Sequence, residues 1–269
     1  MVFADLEPEG FCLDPEDVRR KITPRTRAII PVHIYGLLAD LDALQEIARA
    51  HGLKLIEDCA QAQGARYRGR RAGTLGDAGV FSFFPSKNLG GFGDGGAVTA
   101  RDPEVFRRMR MLANHGRESK YDHELVGLNS RLDTLQAALL RVCLPSLEGW
   151  NAARRAAAKV YDQLLGGIPQ LQTPRARART EPVYHLYVVR APDREALADH
   201  LRGRGIETGL HYPQPLHETG AYRHLGYRRG DLPRAEAACR SVLSLPMHPC
   251  LTREEIETVS RAVADYFQP

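Results

Sequence analysis

The apolar positions change period several times along the chain, and the changes divide it into elements. Short apolar runs at Val2–Ala4, Ala28–Val32, Leu53–Ile56, Gly79–Phe83 and Ala97–Thr99 have the length and residue content of strands. Between some of them the spacing becomes that of amphipathic helices. These cover Pro15–Ile22 behind Asp14 and Leu41–His51 behind Asp40, each aspartate standing where a helix takes its N-cap. Strand, helix, strand in succession predicts a mostly parallel sheet covered by helices. A long helical pattern follows from Arg131 to Leu165, with Pro145 and Gly149 as the expected breaks. Gly166–Thr180 is rich in breakers and reads as a linker or exposed loop. Beyond it come a strand (Tyr184–Arg190), a helix (Arg194–Arg204), a Pro-, His- and Gly-rich loop (Gly209–Asp231), a helix (Pro233–Leu243) and a last helix (Thr252–Phe267). Thr252 and Glu255 form the capping-box pattern that opens that last helix. The expected division is a sheet domain over residues 1–150, and a linking helix with a smaller α+β domain over residues 151–269.

Composition narrows the class. With 43% hydrophobic and 26% charged residues over 269 positions, the chain is globular in type. Its 37 Lys+Arg exceed its 33 Asp+Glu by four, too mild an excess to imply a polyanionic partner by itself. The basic residues are mostly arginines spread through helical stretches such as Arg107, Arg108 and Arg110, without the clustering of a nucleic-acid surface. No apolar run reaches the roughly 18 residues of a membrane span. The acidic start MVFADLEPEG has no apolar core of a secretory signal, so the cytoplasm is the expected location. Cys12, Cys59, Cys143, Cys239 and Cys250 are scattered without a CxxC pair, so neither a disulfide framework nor a metal site is expected.

The chemistry concentrates in two stretches. In AGVFSFFPSKNLGGFGDGGAVTA (Ala78–Ala100), a strand ends near Ser82, Lys87 follows in a turn, and five glycines fall within Gly90–Gly96. A lysine placed there among aromatics is open to desolvation, which lowers its pKa and frees its lone pair for attack on a carbonyl. Ser82 stands where a hydroxyl could donate to a bound phosphate. A plain surface lysine beside a glycine hairpin accounts for the same spacing. Gly91, Gly93 and Gly96 also fit GxGxxG, but a strand-like run follows them where a dinucleotide loop needs a helix N-terminus. In LKLIEDCAQAQGA (Leu53–Ala65), a buried strand ends at Glu57–Asp58. Asp58 is either a helix N-cap or the carboxylate that holds a cationic ring nitrogen at a strand's carboxyl end.

Together these segments resemble the DegT/DnrJ/EryC1/StrS family of sugar aminotransferases. The matching stretches are PVHIYG (Pro31–Gly36), IEDCAQAQGA (Ile56–Ala65), FSFFPSKNLGGFGDGGAV (Phe81–Val98), GLNSRLDTLQAAL (Gly127–Leu139), YHLYVV (Tyr184–Val189) and GIETGLHYPQPLH (Gly205–His217), in order through nearly the whole chain. The resemblance implies the α/β fold of type I pyridoxal-phosphate transferases, similar to aspartate aminotransferase, with pyridoxal 5′-phosphate as cofactor. It implies transfer of an amino group, from a donor such as glutamate, to a nucleotide-linked keto-sugar. Lys87 would join the cofactor through its amine and move the proton. Asp58 would bind the ring nitrogen, Gln61, one helical turn later, would lie near the ring and its 3-hydroxyl, and Ser82 would bind the phosphate. Asn129 would reach the phosphate in a neighbouring subunit of a homodimer, and also stands where it could cap a helix from Arg131. His211 and Tyr212 would lie at the sugar-nucleotide entrance, although a loop histidine is equally consistent with position 211.

Relatives in this family begin with a longer N-terminal stretch, carrying a Gly-Thr phosphate-binding turn and an aromatic that stacks on the ring. This chain starts within MVFADLEPEGFCLDP, so the expectation is exposed apolar faces and an unpaired sheet edge. Two outcomes stand: an aminotransferase, truncated or with its front supplied elsewhere, or a family remnant that folds without gripping the cofactor.

Overall fold

The computed structural model describes residues 1–268. Helix α1 (Pro15–Lys21) leads to β1 (Ala28–Ile29), α2 (Leu41–Ala50) and β2 (Lys54–Asp58). A small hairpin, β3 (Arg66–Tyr67) and β4 (Arg70–Arg71), precedes β5 (Ala78–Ser82) and β6 (Gly96–Ala100). Then come α3 (Pro103–Ala113), α4 (Thr134–Cys143), α5 (Leu147–Leu165) and β7 (Thr180–Glu181). The chain closes with β8 (Tyr187–Arg190), α6 (Arg194–Arg202), α7 (Pro233–Ser241), β9 (Val242–Leu245) and α8 (Arg253–Phe267).

The main sheet has the order β1-β2-β5-β6. Its first two pairings are parallel and the third, β5 with β6, is antiparallel. The glycine segment is therefore a strand-to-strand connection, and Gly96 pairs with Ser82 as the first residue of β6. Asp14 and Asp40 do cap α1 and α2, accepting from the backbone N–H of Glu16 and Ala43. Leu41, Leu44, Ile47 and Ala48 form the buried face of α2, and the Thr252–Glu255 capping box is complete in both directions. One apolar core cluster takes in residues from Phe11 to Val263, drawing on the sheet, α5 and the C-terminal elements. Helix α5 runs through the expected boundary at 150/151.

Four local expectations change. Val2–Ala4 forms no strand: Phe3 instead packs edge-on against Tyr222 and tilts against Tyr227, and its backbone bonds to the Tyr227 hydroxyl. The adjacent Asp5 carboxylate accepts from the N–H groups of Arg234 and Ala235, so it caps α7 across 229 residues. Pro145 does break the long helical region, through a 3-10 turn, but Gly149 lies inside α5. The helix expected to end at Leu243 ends at Ser241, and Val242–Leu245 is a buried strand antiparallel to β8. Gly166–Thr180 is no free linker, because Arg177 joins Asp40 at 2.9 Å and also Glu7.

Strand β6 lies at the sheet's edge. Near it in sequence, α3, α4 and the segment between them expose Phe106, Leu112, Val126, Leu128, Leu135 and Val142. These are large apolar side chains left in contact with solvent.

Candidate active site

The end of β2 sends two carboxylates to opposite faces, as strand alternation requires. Glu57 is fully buried and is held by the N–H groups of Gly73, Leu75 and Gly76 at 2.7–2.9 Å. Its Oε2 also lies 3.1 Å from His33 Nε2. Burial alone would raise the Glu57 pKa; the His33, Gly76 and Gly73 hydrogen bonds outweigh it and hold the group below the usual carboxylate range. Asp58 faces the other way. Its Oδ1 accepts from Ala60 N at 2.9 Å in a turn, so it caps no helix, and its Oδ2 has no hydrogen bond among the described residues. Gln61 likewise stands on a turn rather than a helix. Its Oε1 accepts from Tyr35 N at 2.6 Å, and its Nε2 donates to the Tyr212 hydroxyl at 3.4 Å.

Lys87 sits half-buried on the turn after β5, its N–H donating to Phe84 O at 2.9 Å. The turn is tight enough that a Cβ on Gly90 would stand 2.3 Å from Pro85 O. Burial lowers the Lys87 pKa, and the Asp58 carboxylate is near enough to pull it partly back. Gln61, Ser82, Lys87, His185, His211 and Tyr212 line one cleft of about 460 Å³, together with Phe84, Ser86, Asp94 and Gly95. That volume lies within the range of small-molecule sites. The expected residues from the two ends of the chain thus converge, with Asp58 just behind them at the strand end. Asn129 does not join them: it is exposed, its Oδ1 accepts from Arg131 Nε at 3.1 Å, and Asp133, not Asn129, occupies the N-cap of α4.

Several residues of the site were not in the sequence-derived set. His185 lines the cleft and is buried to 7% exposure. It is tied to Asn88, the residue after Lys87. Tyr35 and Gly36 form the turn on which the His185 segment rests. Gly36 has φ +84°, and a Cβ there would come within 2.9 Å of the backbone nitrogens of Tyr184 and His185. Val183 N donates to Gly36 O at 3.0 Å, so PVHIYG and YHLYVV meet in space. The Tyr35 hydroxyl donates to His211 O, extending the same contact to the loop at 211. His211 Nδ1 is 2.8 Å from Ser244 Oγ, and burial followed by the Lys87 charge lowers its pKa. Asn88 beside the lysine was the available signal; its partners lie far along the chain.

The donor set fits pyridoxal phosphate. A desolvated amine suits its aldehyde, the open Asp58 oxygen suits a ring N–H, and the Ser82 hydroxyl suits a phosphate oxygen.

Comparison with known proteins finds relatives over nearly the whole chain. A transaminase of dTDP-3-amino-3,4,6-trideoxy-alpha-D-glucose from Streptomyces venezuelae is 52% identical over 254 residues, covering 94% of this chain and 67% of the relative. A UDP-N-acetyl-3-dehydro-alpha-D-glucosamine 3-aminotransferase from Acidithiobacillus ferrooxidans is 43% identical, covering 97% of this chain and 70% of that one. The crystal structure of S. venezuelae DesV in complex with a ketimine intermediate superposes with a TM-score of 0.96 at 49% identity, covering 99% of this chain and 72% of that one. Residues 1–264 match the model of the DegT/DnrJ/EryC1/StrS aminotransferase family, and the fold agrees with it. The chain belongs to the DegT/DnrJ/EryC1/StrS aminotransferase family, whose members are pyridoxal-phosphate-dependent enzymes.

Proposed function

We propose that this aminotransferase moves an amino group from an amino acid, glutamate being the first candidate, to a nucleotide-linked keto-deoxysugar, giving an amino sugar. The observation that carries the reading is the half-buried amine of Lys87, in one cleft with Ser82 and Gln61 and within the field of Asp58. The names of the relatives supply the substrate class. When bound, pyridoxal phosphate supplies an electron sink for the carbon that loses its proton. Asp58 would hold the ring nitrogen through its open oxygen and keep it protonated, and Gln61, fixed by Tyr35 N, would lie near the ring and its 3-hydroxyl. Ser82 holds the phosphate. Lys87, with its pKa lowered by burial, would be the base that takes the proton from the donor's Cα and the acid that gives it back. His211 and Tyr212 border the entrance for the sugar nucleotide.

Residues 1–150 contribute the cofactor side of the cleft and residues 151–269 the entrance side. Asn129 serves the cleft of a second copy, and the exposed apolar residues of α3 and α4 are covered when the two copies pair. Borohydride reduction of the protein with pyridoxal phosphate, followed by peptide mass spectrometry, places the adduct on Lys87 if the reading is right. An adduct elsewhere, unaffected by Lys87→Ala, overturns it. Transfer from glutamate to dTDP- and UDP-linked 3-keto-sugars tests the substrate class, and light scattering tests the dimer.

A further inference from the structure

Two asparagines and a glutamine behind Lys87 form one chain of hydrogen bonds, and every link in it has a fixed direction. Helix α5 turns Leu147, Asn151, Arg154, Ala158, Tyr161 and Leu165 inward, so Asn151 is a polar residue on a mostly apolar stripe, and it is fully buried. Burying an amide costs free energy unless both of its ends are bonded. Asn151 Nδ2 donates at 2.8 Å to Gln63 O, a carbonyl that only accepts, which leaves its Oδ1 to accept from Asn88 Nδ2 at 2.8 Å. Asn88 Nδ2 also donates to Val183 O at 3.1 Å. Asn88 Oδ1 is thereby turned toward His185, 3.1 Å from Nδ1. An oxygen without a hydrogen needs a donor, so Nδ1 carries the proton of the neutral ring. Burial, then the charges of Lys87, Arg154 and His211, lower the His185 pKa to about 3, so the ring stays neutral and the direction holds. At the other end of the chain of bonds, Gln63 Nε2 donates to Ser82 O at 2.5 Å. Room for the relay is built in: Gly64 has φ +87°, and a Cβ there would stand 2.7 Å from Asn151 Nδ2.

Ser82 ends β5 and Asn88 directly follows Lys87, so the relay pins both ends of the turn that carries the lysine, and pins them to one residue of α5. We propose that Asn151 is a positioning residue for Lys87: bonded to Gln63 on one side and to Asn88 on the other, it sets the placement of the Lys87 turn against the Ser82 hydroxyl. The lysine stem is long and flexible, so the reach of its amine is decided by where the turn puts its Cα. The far end of the relay is itself held, because Arg154, on the same face of α5, donates to Tyr184 O and His185 O at 3.2 and 3.3 Å. Without Asn151, Asn88 keeps Val183 O and His185 but is cut off from Gln63, and so from the Ser82 end of the turn. A misplacement on the order of 1 Å between groups that must engage one ligand together costs about a hundredfold in rate. The proposal rests on Lys87 being the reactive amine of the proposed function.

The test compares two aldehydes, pyridoxal phosphate and 5′-deoxypyridoxal, which lacks the phosphate. The full chain is treated with each, reduced with borohydride after short times, and the adduct on Lys87 is measured by peptide mass spectrometry against that on the exposed Lys54. The Lys87-to-Lys54 ratio with the phosphate, divided by the ratio without it, reports how well the amine and the phosphate site engage one molecule. In Asn151→Ala this quotient should fall about tenfold or more. General loosening of the fold lowers the reaction of both aldehydes alike and leaves the quotient where it was. Gln63→Ala cuts the relay at its Ser82 end and should move the quotient in the same direction. Nitrogen-15 NMR of the imidazoles of the wild type should show His185 as the Nδ1–H tautomer that the relay requires. A quotient unchanged in either variant, whatever happens to the melting temperature, overturns the proposal, and so does a His185 protonated at Nε2. If Asn151→Ala fails to fold, Gln63→Ala and the wild-type tautomer decide. Absence of any adduct on wild-type Lys87 with either aldehyde overturns instead the underlying function, and leaves the tautomer result standing.

Discussion

Two buried histidines, His33 and His185, differ in what their second ring nitrogen meets: a carboxylate in one place and a cleft in the other. His33 is fully enclosed and satisfied at both nitrogens. Its Nδ1 accepts from Ala39 N at 3.2 Å, so its Nε2 carries the hydrogen and donates to Glu57. His185 has the opposite tautomer, with one nitrogen tied to Asn88 and the other facing a cleft. A buried polar group whose valences all close inside the protein contributes to fold stability. One that is closed on one side and open on the other leaves a polar atom at the cleft wall. The His33, Glu57 and Cys59 polar atoms also lie close enough together to hold a metal ion. The Glu57 oxygens are already taken by three backbone N–H groups and His33, and burial keeps the Cys59 thiol protonated, so the cluster is complete as it stands.

The sharpest test of this contrast sets Lys87→Ala against Glu57→Gln. Lys87→Ala should cut turnover by about 10³–10⁴-fold while the urea midpoint stays at or above that of the parent, as read by steady-state assay and unfolding curves. Glu57→Gln should do the reverse. It strands backbone donors behind the sheet and should cost about 3 kcal/mol of unfolding free energy, with turnover per folded molecule retained. Asp58→Asn comes next: weaker cofactor retention by about ten- to a hundredfold, measured by equilibrium dialysis, with stability nearly unchanged. Acid sensitivity separates the two regions by window. The folded His185 resists protonation down to about 3 against an ordinary value of 6.5, so in that interval the unfolded chain binds the extra proton and stability falls as the pH drops. Glu57 is depressed below its ordinary 4.5, so its contribution is whole above that value and is lost only as the pH falls through the depressed one. Thermal melts of His185→Gln should therefore be flatter between pH 6.5 and 4.5 than those of the parent. The smallest effect belongs to Thr252→Ala, about 1 kcal/mol from the α8 cap, with neither region disturbed.

Much of the sheet was legible because its signals are local. Asp14 and Asp40 sit at helix starts, β2 and β5 are short apolar runs, and Lys87 follows Ser82 within one turn. The failures have non-local causes. Val242–Leu245 continues the apolar pattern of the preceding helix, and only its pairing with β8 makes it a strand. Val2–Ala4 has strand composition but no ladder partner, and the aromatic pocket around Phe3 decides its course. Lys87, Ser82 and Asp58 stand at or just after strand ends within thirty positions of one another, so the residues themselves pointed to them, while Gln61, His211 and Tyr212 came only with the family resemblance. His185 could not be read either way, since its meaning depends on Asn88, 97 residues away, and on the carbonyl of Val183 that orients Asn88.

The Asp5 carboxylate on the first turn of α7, with Phe3 held by Tyr227, turns the opening residues into a hasp. α7 directly follows the loop that bears His211 and Tyr212, while the strands carrying Asp58 and Ser82 are anchored separately by their own ladders. The same residues are tied to α1 as well, Asp5 N donating to Asp17 Oδ2 at 2.6 Å and Lys21 Nζ to Phe3 O at 2.9 Å. One short segment thus staples the helix that follows the His211–Tyr212 loop to the first helix of the chain, elements that lie more than 200 residues apart in sequence.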